Sequence, residues 1–228
     1  MASGEQFEIE IKSLLGDAEA ARSFRESLRA AYPECELRST ESQLNHYFDG
    51  GDIKQLAEHM APRFSPEDRE KLERIAERAT MVSVRTRQVG DEVRLVVKAS
   101  LGDDTSANGV VRAELDVPME GMTLDELDEE IRKAGYEYQA KWSRDREVYE
   151  VPGATVCLDR NAGYGYLVEF EKVVDDPSQI EGAKAELVTL MEGLGAEELP
   201  QDRLERMFAH YNTHWPEYYG TDKVFVIE

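Results

Sequence analysis

Apolar and charged residues alternate without a break in Phe7-Glu8-Ile9-Glu10-Ile11-Lys12. Successive side chains of a strand point to opposite faces, so Phe7, Ile9 and Ile11 share one face and Glu8, Glu10 and Lys12 the other. This predicts an opening strand over 5–14, and extended segments follow at 35–49, 81–88, 93–98, 109–117, 136–151, 154–160 and 164–173. Gly90-Asp91 and Asn161-Ala162-Gly163 turn the chain within two hairpins. Elsewhere the apolar period is helical. Phe24, Leu28 and Ala31 share one side of a helix that Asp17 caps and Pro33 stops. Ile53, Leu56 and Met60 predict a short helix, and Ser65-Pro66-Glu67-Asp68 opens another that reaches Ala79. Thr123 and Glu126 form a capping box for a helix to Ala134, with Gly135 beyond its end. Pro177 opens a long helix to Met191, a short one follows at Asp202–His210, and Val224–Ile227 has the pattern of a last strand.

There is no internal repeat, low-complexity tract or linker. Strands that come mainly as antiparallel neighbours, with helices between and after them, predict one α+β domain over 1–228 built on an antiparallel sheet or barrel. A doubly wound parallel sheet would need a regular strand–helix alternation, which is missing.

Charge narrows the function. The 228 residues carry a formal net charge of −21 and are 33% charged. That argues against a general nucleic-acid binder, which needs a basic face, and against an anionic membrane surface as partner. Cys35 and Cys157 stand far apart and form no metal-ligand spacing, no leader pattern opens the chain, and no apolar run is long enough for a bilayer. The expectation is a cytoplasmic protein without a membrane span.

The parity of the opening strand returns along the chain. Arg85 and Arg87 share a face, as do Arg94 and Lys98, Arg112 and Glu114, Arg144 and Arg146, and Glu169 and Glu171. A solvated strand face accounts for any one of these. As a set, acids pair near both ends of the strand series and bases in its middle. Closed into a barrel with these faces inward, the charges would be costly to bury without a ligand. A polyanion with a divalent cation neutralises both sets, carboxylates taking the metal and guanidinium or ammonium groups the phosphate oxygens.

Glu8-x-Glu10-x-Lys12, followed in order by Tyr47-Phe48-Asp49, Arg85-x-Arg87, Lys98, Arg112-x-Glu114, Arg144-x-Arg146-x-x-Tyr149, Asp159 and Glu169-x-Glu171, resembles the CYTH, or triphosphate tunnel metalloenzyme, superfamily. That superfamily includes class IV adenylate cyclases, thiamine triphosphatases and inorganic triphosphatases. The resemblance spans a core of 5–175, with a helical insertion at 51–79 and C-terminal helices and tail at 176–228. It implies an eight-stranded antiparallel closed barrel, a tunnel surrounded by helices, that binds a small-molecule triphosphate with Mg²⁺ or Mn²⁺. It further implies that Glu8, Glu10, Glu114, Asp159, Glu169 and Glu171 hold metal, and that Lys12, Arg85, Arg87, Lys98, Arg112, Arg144 and Arg146 hold phosphate. Lys12 with Tyr47 would activate water.

Three departures qualify it. The insertion is longer and more helical than the family's short connection. Arg144 stands where the family usually has Lys, and an arginine does not transfer protons near neutral pH. A further basic residue from the C-terminal helices is expected, with Lys184, Arg203 and Arg206 as candidates. The resemblance leaves a homodimer open. His210 and His214 have the spacing of a zinc pair without an evident third ligand. The expected activity is metal-dependent triphosphate hydrolysis, the alternatives being conversion of ATP to cyclic AMP and pyrophosphate, or a non-catalytic polyphosphate-binding module.

Overall fold

The computed structural model describes residues 7–100 and 112–228, with Ser100, Arg112 and Ala113 described by their backbone alone. In chain order the elements are β1 (Phe7–Gly16), α1 (Ala18–Ala31), β2 (Glu36–Asp49), α2 (Ile53–Met60), α3 (Pro66–Arg78), β3 (Met81–Val89), β4 (Glu92–Ser100), β5 (Arg112–Pro118), α4 (Leu124–Lys133), β6 (Glu137–Val151), β7 (Ala154–Asn161), β8 (Gly165–Val174), α5 (Ile180–Gly193) and α6 (Gln201–Tyr218). The strands form one eight-stranded antiparallel sheet in the order β1-β8-β7-β6-β2-β3-β4-β5. Among the described residues hydrogen bonds do not join its two end strands, so the eight-stranded α+β sheet with its helices is present without hydrogen-bonded closure. The outward carbonyl of Lys12 in β1 instead accepts from the Leu199 amide at 2.7 Å, so the segment after α5 occupies part of that edge.

The chain forms two compact units. The first comprises the described residues up to Ser42 and from Ser143 to Glu228, the second those from Gln43 to Trp142. In the first, Ile9 and Ile11 are fully buried while Glu8, Glu10 and Lys12 stand on the other face of β1. Ile9 and Ile11 pack with Ala21, Phe24 and Leu28 of α1, with Phe170 of β8 and with Leu187 and Met191 of α5. Phe24 meets Phe170 edge to face at 6.1 Å between ring centroids. Burial of this kind contributes about 1.5–3 kcal/mol per large aliphatic side chain. In the second unit, Val84, Leu95, Val97 and Leu115 of β3–β5 share a core with Leu127 and Ile131 of α4. Leu56, Met60, Leu72 and Ile75 join it, so the insertion α2–α3 helps to cover that face of the sheet.

Two expectations change at the C-terminus. The helix expected to end at His210 continues to Tyr218, with Pro216 inside its last turns. The pyrrolidine nitrogen cannot donate there, but the Tyr211 ring is wholly buried against the rings of Tyr164 and Tyr218, and Phe225 meets both of those. Packing therefore outweighs the local stop signal. Val224 makes an isolated bridge to Gly163 rather than a strand. Gly163 has φ +84°, and a Cβ there would lie 2.7 Å from the Tyr211 ring, so only glycine lets β7 turn beneath α6. Residues 109–111 of the expected 109–117 strand lie outside the described residues. No helix among the described residues is long and apolar enough to cross a membrane.

Candidate functional site

Each unit carries a charge cluster on the sheet face away from its helices. In the first, the ladder sets Glu10 opposite Glu171 and Lys12 opposite Glu169, while Arg146 of β6 stands opposite Asp159 of β7. Ligand atoms of Glu8, Glu10 and Glu171 all lie within 4.8 Å of one another. Three carboxylates at that separation offer hard oxygen donors, which suit Mg²⁺, Mn²⁺ or Ca²⁺ rather than a thiophilic metal. Asp159 and Glu169 are otherwise engaged. Arg146 donates to both oxygens of Asp159 at 2.7 Å, and Arg144 donates to Oδ2 at 2.7 Å. Arg146 also pairs with Glu169, and its Nη1 lies 3.7 Å from Glu171. Lys12 pairs with Glu10 and lies 3.8 Å from Glu169. The six expected metal carboxylates thus divide into three gathered together, two gripped by arginine, and Glu114, which belongs to the second unit.

The electrostatics follow from burial. Desolvation is the largest influence on Glu169 and opposes its charge, but Arg146, Lys12 and Arg144 together carry its pKa well below the carboxylate range. Burial likewise disfavours the Arg146 cation, and Glu169 and Asp159 outweigh it, raising the pKa well above the ordinary value. Cys157 sits opposite Glu169 in the ladder, and burial raises its thiol pKa well above the ordinary value.

The second cluster stands on β2–β5. Arg85 faces Tyr47 across the ladder and its Nη1 donates to the tyrosine oxygen at 2.6 Å. Two rungs on, Arg87 Nε donates to Asn45 Oδ1 at 2.9 Å. Lys98 lies 3.1 Å from Glu114, its cross-strand partner. Asp116 receives Arg94 Nε at 2.5 Å and lies 3.6 Å from Arg87. The Trp142 ring stands edge-on to Tyr47 at 6.3 Å. Asn45, Arg94 and Asp116 were not among the expected site residues. Asp116 extends the Arg112-x-Glu114 alternation by one step and was legible on parity, whereas Asn45 carries no charge to mark it. The Arg112 side chain lies outside the described residues.

Other assignments fall elsewhere. The Tyr149 hydroxyl donates to Glu147, which also takes the Arg25 guanidinium from α1, and both stand on the helix side of β6. Burial, with Glu147, pushes Tyr149 up to about 12. Arg203 and Arg206 donate to the carbonyls of Ile227 and Glu228. His210 and His214 stack at 4.3 Å, and His214 Nδ1 lies 2.9 Å from the His210 carbonyl. No group of three metal-ligating side chains forms around them among the described residues.

A family profile described as the CYTH domain matches residues 73–203, more than half of the chain. The chain belongs to the CYTH family. It is an enzyme of the CYTH type. The matched CYTH segment runs from within α3 to the start of α6 and does not include β1. The register of β1 on β8 is what brings Glu10 and Lys12 opposite Glu171 and Glu169 of the matched segment. Solved structures share the CYTH fold. A protein of Pyrococcus horikoshii OT3 superposes with a TM-score of 0.58 at 22% identity, covering 87% of this chain and 99% of that one. A Vibrio parahaemolyticus protein described as a candidate adenylate cyclase gives 0.59 at 16% identity over 90% and 98%. A conserved hypothetical protein of Pyrococcus furiosus gives 0.56 at 20% over 83% and 91%. At these identities the likeness concerns the fold alone. No curated protein matches the sequence.

Proposed function

We propose that the chain is a divalent-metal-dependent triphosphatase that hydrolyses a small-molecule triphosphate, namely inorganic tripolyphosphate, thiamine triphosphate or a nucleoside triphosphate. On this proposal both units belong to one CYTH-like domain, and its sheet takes the tunnel form that the resemblance implies. The observation that carries it is the gathering of Glu8, Glu10 and Glu171 beside Lys12 and the Arg146 fork.

Glu8, Glu10 and Glu171 would hold Mg²⁺ or Mn²⁺, which offsets charge on phosphate oxygens when bound. Arg85, Arg87, Lys98, Arg112, Arg144 and Arg146 bind those oxygens, the arginines through paired N–H donors. Asp159 and Glu169 hold Arg144 and Arg146 in place for that contact. Lys12 stands between Glu10 and Glu169 and donates hydrogen bonds, so it orients water and phosphate, with Tyr47 assisting. The water oxygen attacks the terminal phosphorus and the anhydride P–O bond breaks; the diphosphate part of the substrate leaves with the electron pair, the water oxygen stays on the orthophosphate formed, and the water's protons pass to the products and solvent. Arg144 contributes phosphate contact rather than proton transfer.

The test is incubation with tripolyphosphate, thiamine triphosphate and ATP, each with Mg²⁺ or Mn²⁺, scoring orthophosphate, pyrophosphate and cyclic AMP. Orthophosphate without cyclic AMP is expected, and Glu8→Gln or Arg87→Ala should each abolish it. Cyclic AMP with pyrophosphate would establish the cyclase instead. Triphosphate binding without turnover would leave a binding module.

A further inference from the structure

Behind the second charge cluster, on the helix side of the sheet, lies a buried carboxylate that the proposed chemistry does not use. Asp128 projects from α4 and is 1% exposed. His46 Nδ1 of β2 lies 2.6 Å from its Oδ2, Thr86 Oγ1 of β3 donates to Oδ1 at 2.6 Å, and the Tyr138 hydroxyl of β6 donates to Oδ2 at 2.7 Å. Lys141 Nζ lies 3.9 Å from Oδ2 and 4.3 Å from the Tyr138 ring centroid. A buried carboxylate with three close partners is satisfied, and that alone describes a helix fastened to a sheet.

The register says more. His46 and Thr86 are direct partners in the β2–β3 ladder. The rungs on either side are Asn45–Arg87 and Tyr47–Arg85, the two pairs bonded across the opposite face. One carboxylate thus grips both ends of the rung that separates the two arginines. A guanidinium meets phosphate through a fork of fixed geometry, and a displacement of about 1 Å can cost on the order of 100-fold in rate.

We propose that Asp128 is a positioning residue, which fixes the His46–Thr86 rung from behind the sheet and thereby sets the placement of Arg85 and Arg87 for substrate. This rests on the assignment of those two arginines to phosphate. Burial opposes the Asp128 charge most strongly, yet hydrogen bonds from His46, Thr86 and Tyr138 bring its pKa below the ordinary value, in keeping with a carboxylate held ionised.

Asp128→Asn keeps the shape and removes the charge. Four measurements test it: arginine Nε–Hε resonances, steady-state kinetics on tripolyphosphate, tripolyphosphate binding, and thermal unfolding. The Arg85 and Arg87 resonances should move while those of Arg144 and Arg146 stay. KM should rise about tenfold with kcat within about threefold, a loss of binding geometry rather than of chemistry. Added to Arg87→Ala, the substitution should weaken tripolyphosphate binding by less than about twofold more, since both act through one group. Thr86→Val removes the grip on β3 alone and should move the same resonances; it carries the test if Asp128→Asn does not fold. A lowered unfolding temperature with unmoved arginine resonances and KM would overturn the positioning role, as would penalties that multiply in the double variant. A wild-type protein that neither binds nor hydrolyses triphosphate would refute the phosphate assignment, and the resonances would still report whether Asp128 holds the rung.

Discussion

Arg146 holds two carboxylates at once, and its side chain is only 11% exposed. Removing it leaves Asp159 and Glu169 with less compensation in a buried setting, and breaking a buried ion pair from one side costs about 3–5 kcal/mol. Arg146→Ala should therefore unfold at markedly lower denaturant even without substrate, as chemical denaturation would show. Glu171 invites a different experiment, because it belongs to the three-acid group. Glu171→Gln should raise the Mg²⁺ concentration for half-maximal activity about tenfold or more, and Glu114→Gln, whose partner is Lys98, should raise it less. Strand parity made the faces of all these residues legible. It could not say which acids meet each other, because register decides that: Glu10 faces Glu171, and Lys12 faces Glu169.

The elements were easier to read than the contacts. Strong local signals survived folding, as in the Asp17 cap of α1 and the Thr123–Glu126 capping box of α4. The end of α6 was misread because Pro216 is a local stop, whereas the burial of Tyr211 is a tertiary fact. The role of α2–α3 was hidden for the same reason. Leu72 is fully buried against that core, and Leu72→Ala should cost about 2–5 kcal/mol by thermal or chemical unfolding. The attachment of α4 carries a pH signature. Because the folded pKa of Asp128 is depressed, its contribution is complete above the ordinary carboxylate value and fades as pH falls through the lower folded one. The difference in unfolding temperature between wild type and Asp128→Asn should thus be largest near neutrality and shrink below about pH 4, the ordinary aspartate value.

At the scale of the whole molecule, a chain of net charge −21 is assigned an anionic substrate. Long-range repulsion and short-range attraction respond to salt differently. The screening length falls from about 30 Å at 0.01 M to about 10 Å at 0.1 M, which mutes distant charges before contacting ones. The kcat/KM for tripolyphosphate should therefore rise with KCl over that range, opposite to an enzyme that steers its substrate by net charge. A steady fall from the lowest salt would show that the local cations dominate even at a distance.

The bond from Leu199 to the Lys12 carbonyl bears on how this protein behaves at high concentration. The end of a sheet is where a neighbouring copy adds a strand, and fibres grow from such additions. On β1 part of that position is already taken, and every second side chain over Glu8–Lys12 is charged. A second copy would have to displace the segment after α5 and, in a matching alignment, stack glutamate on glutamate. Substitutions that loosen Leu199 endanger solubility before they disturb any chemistry.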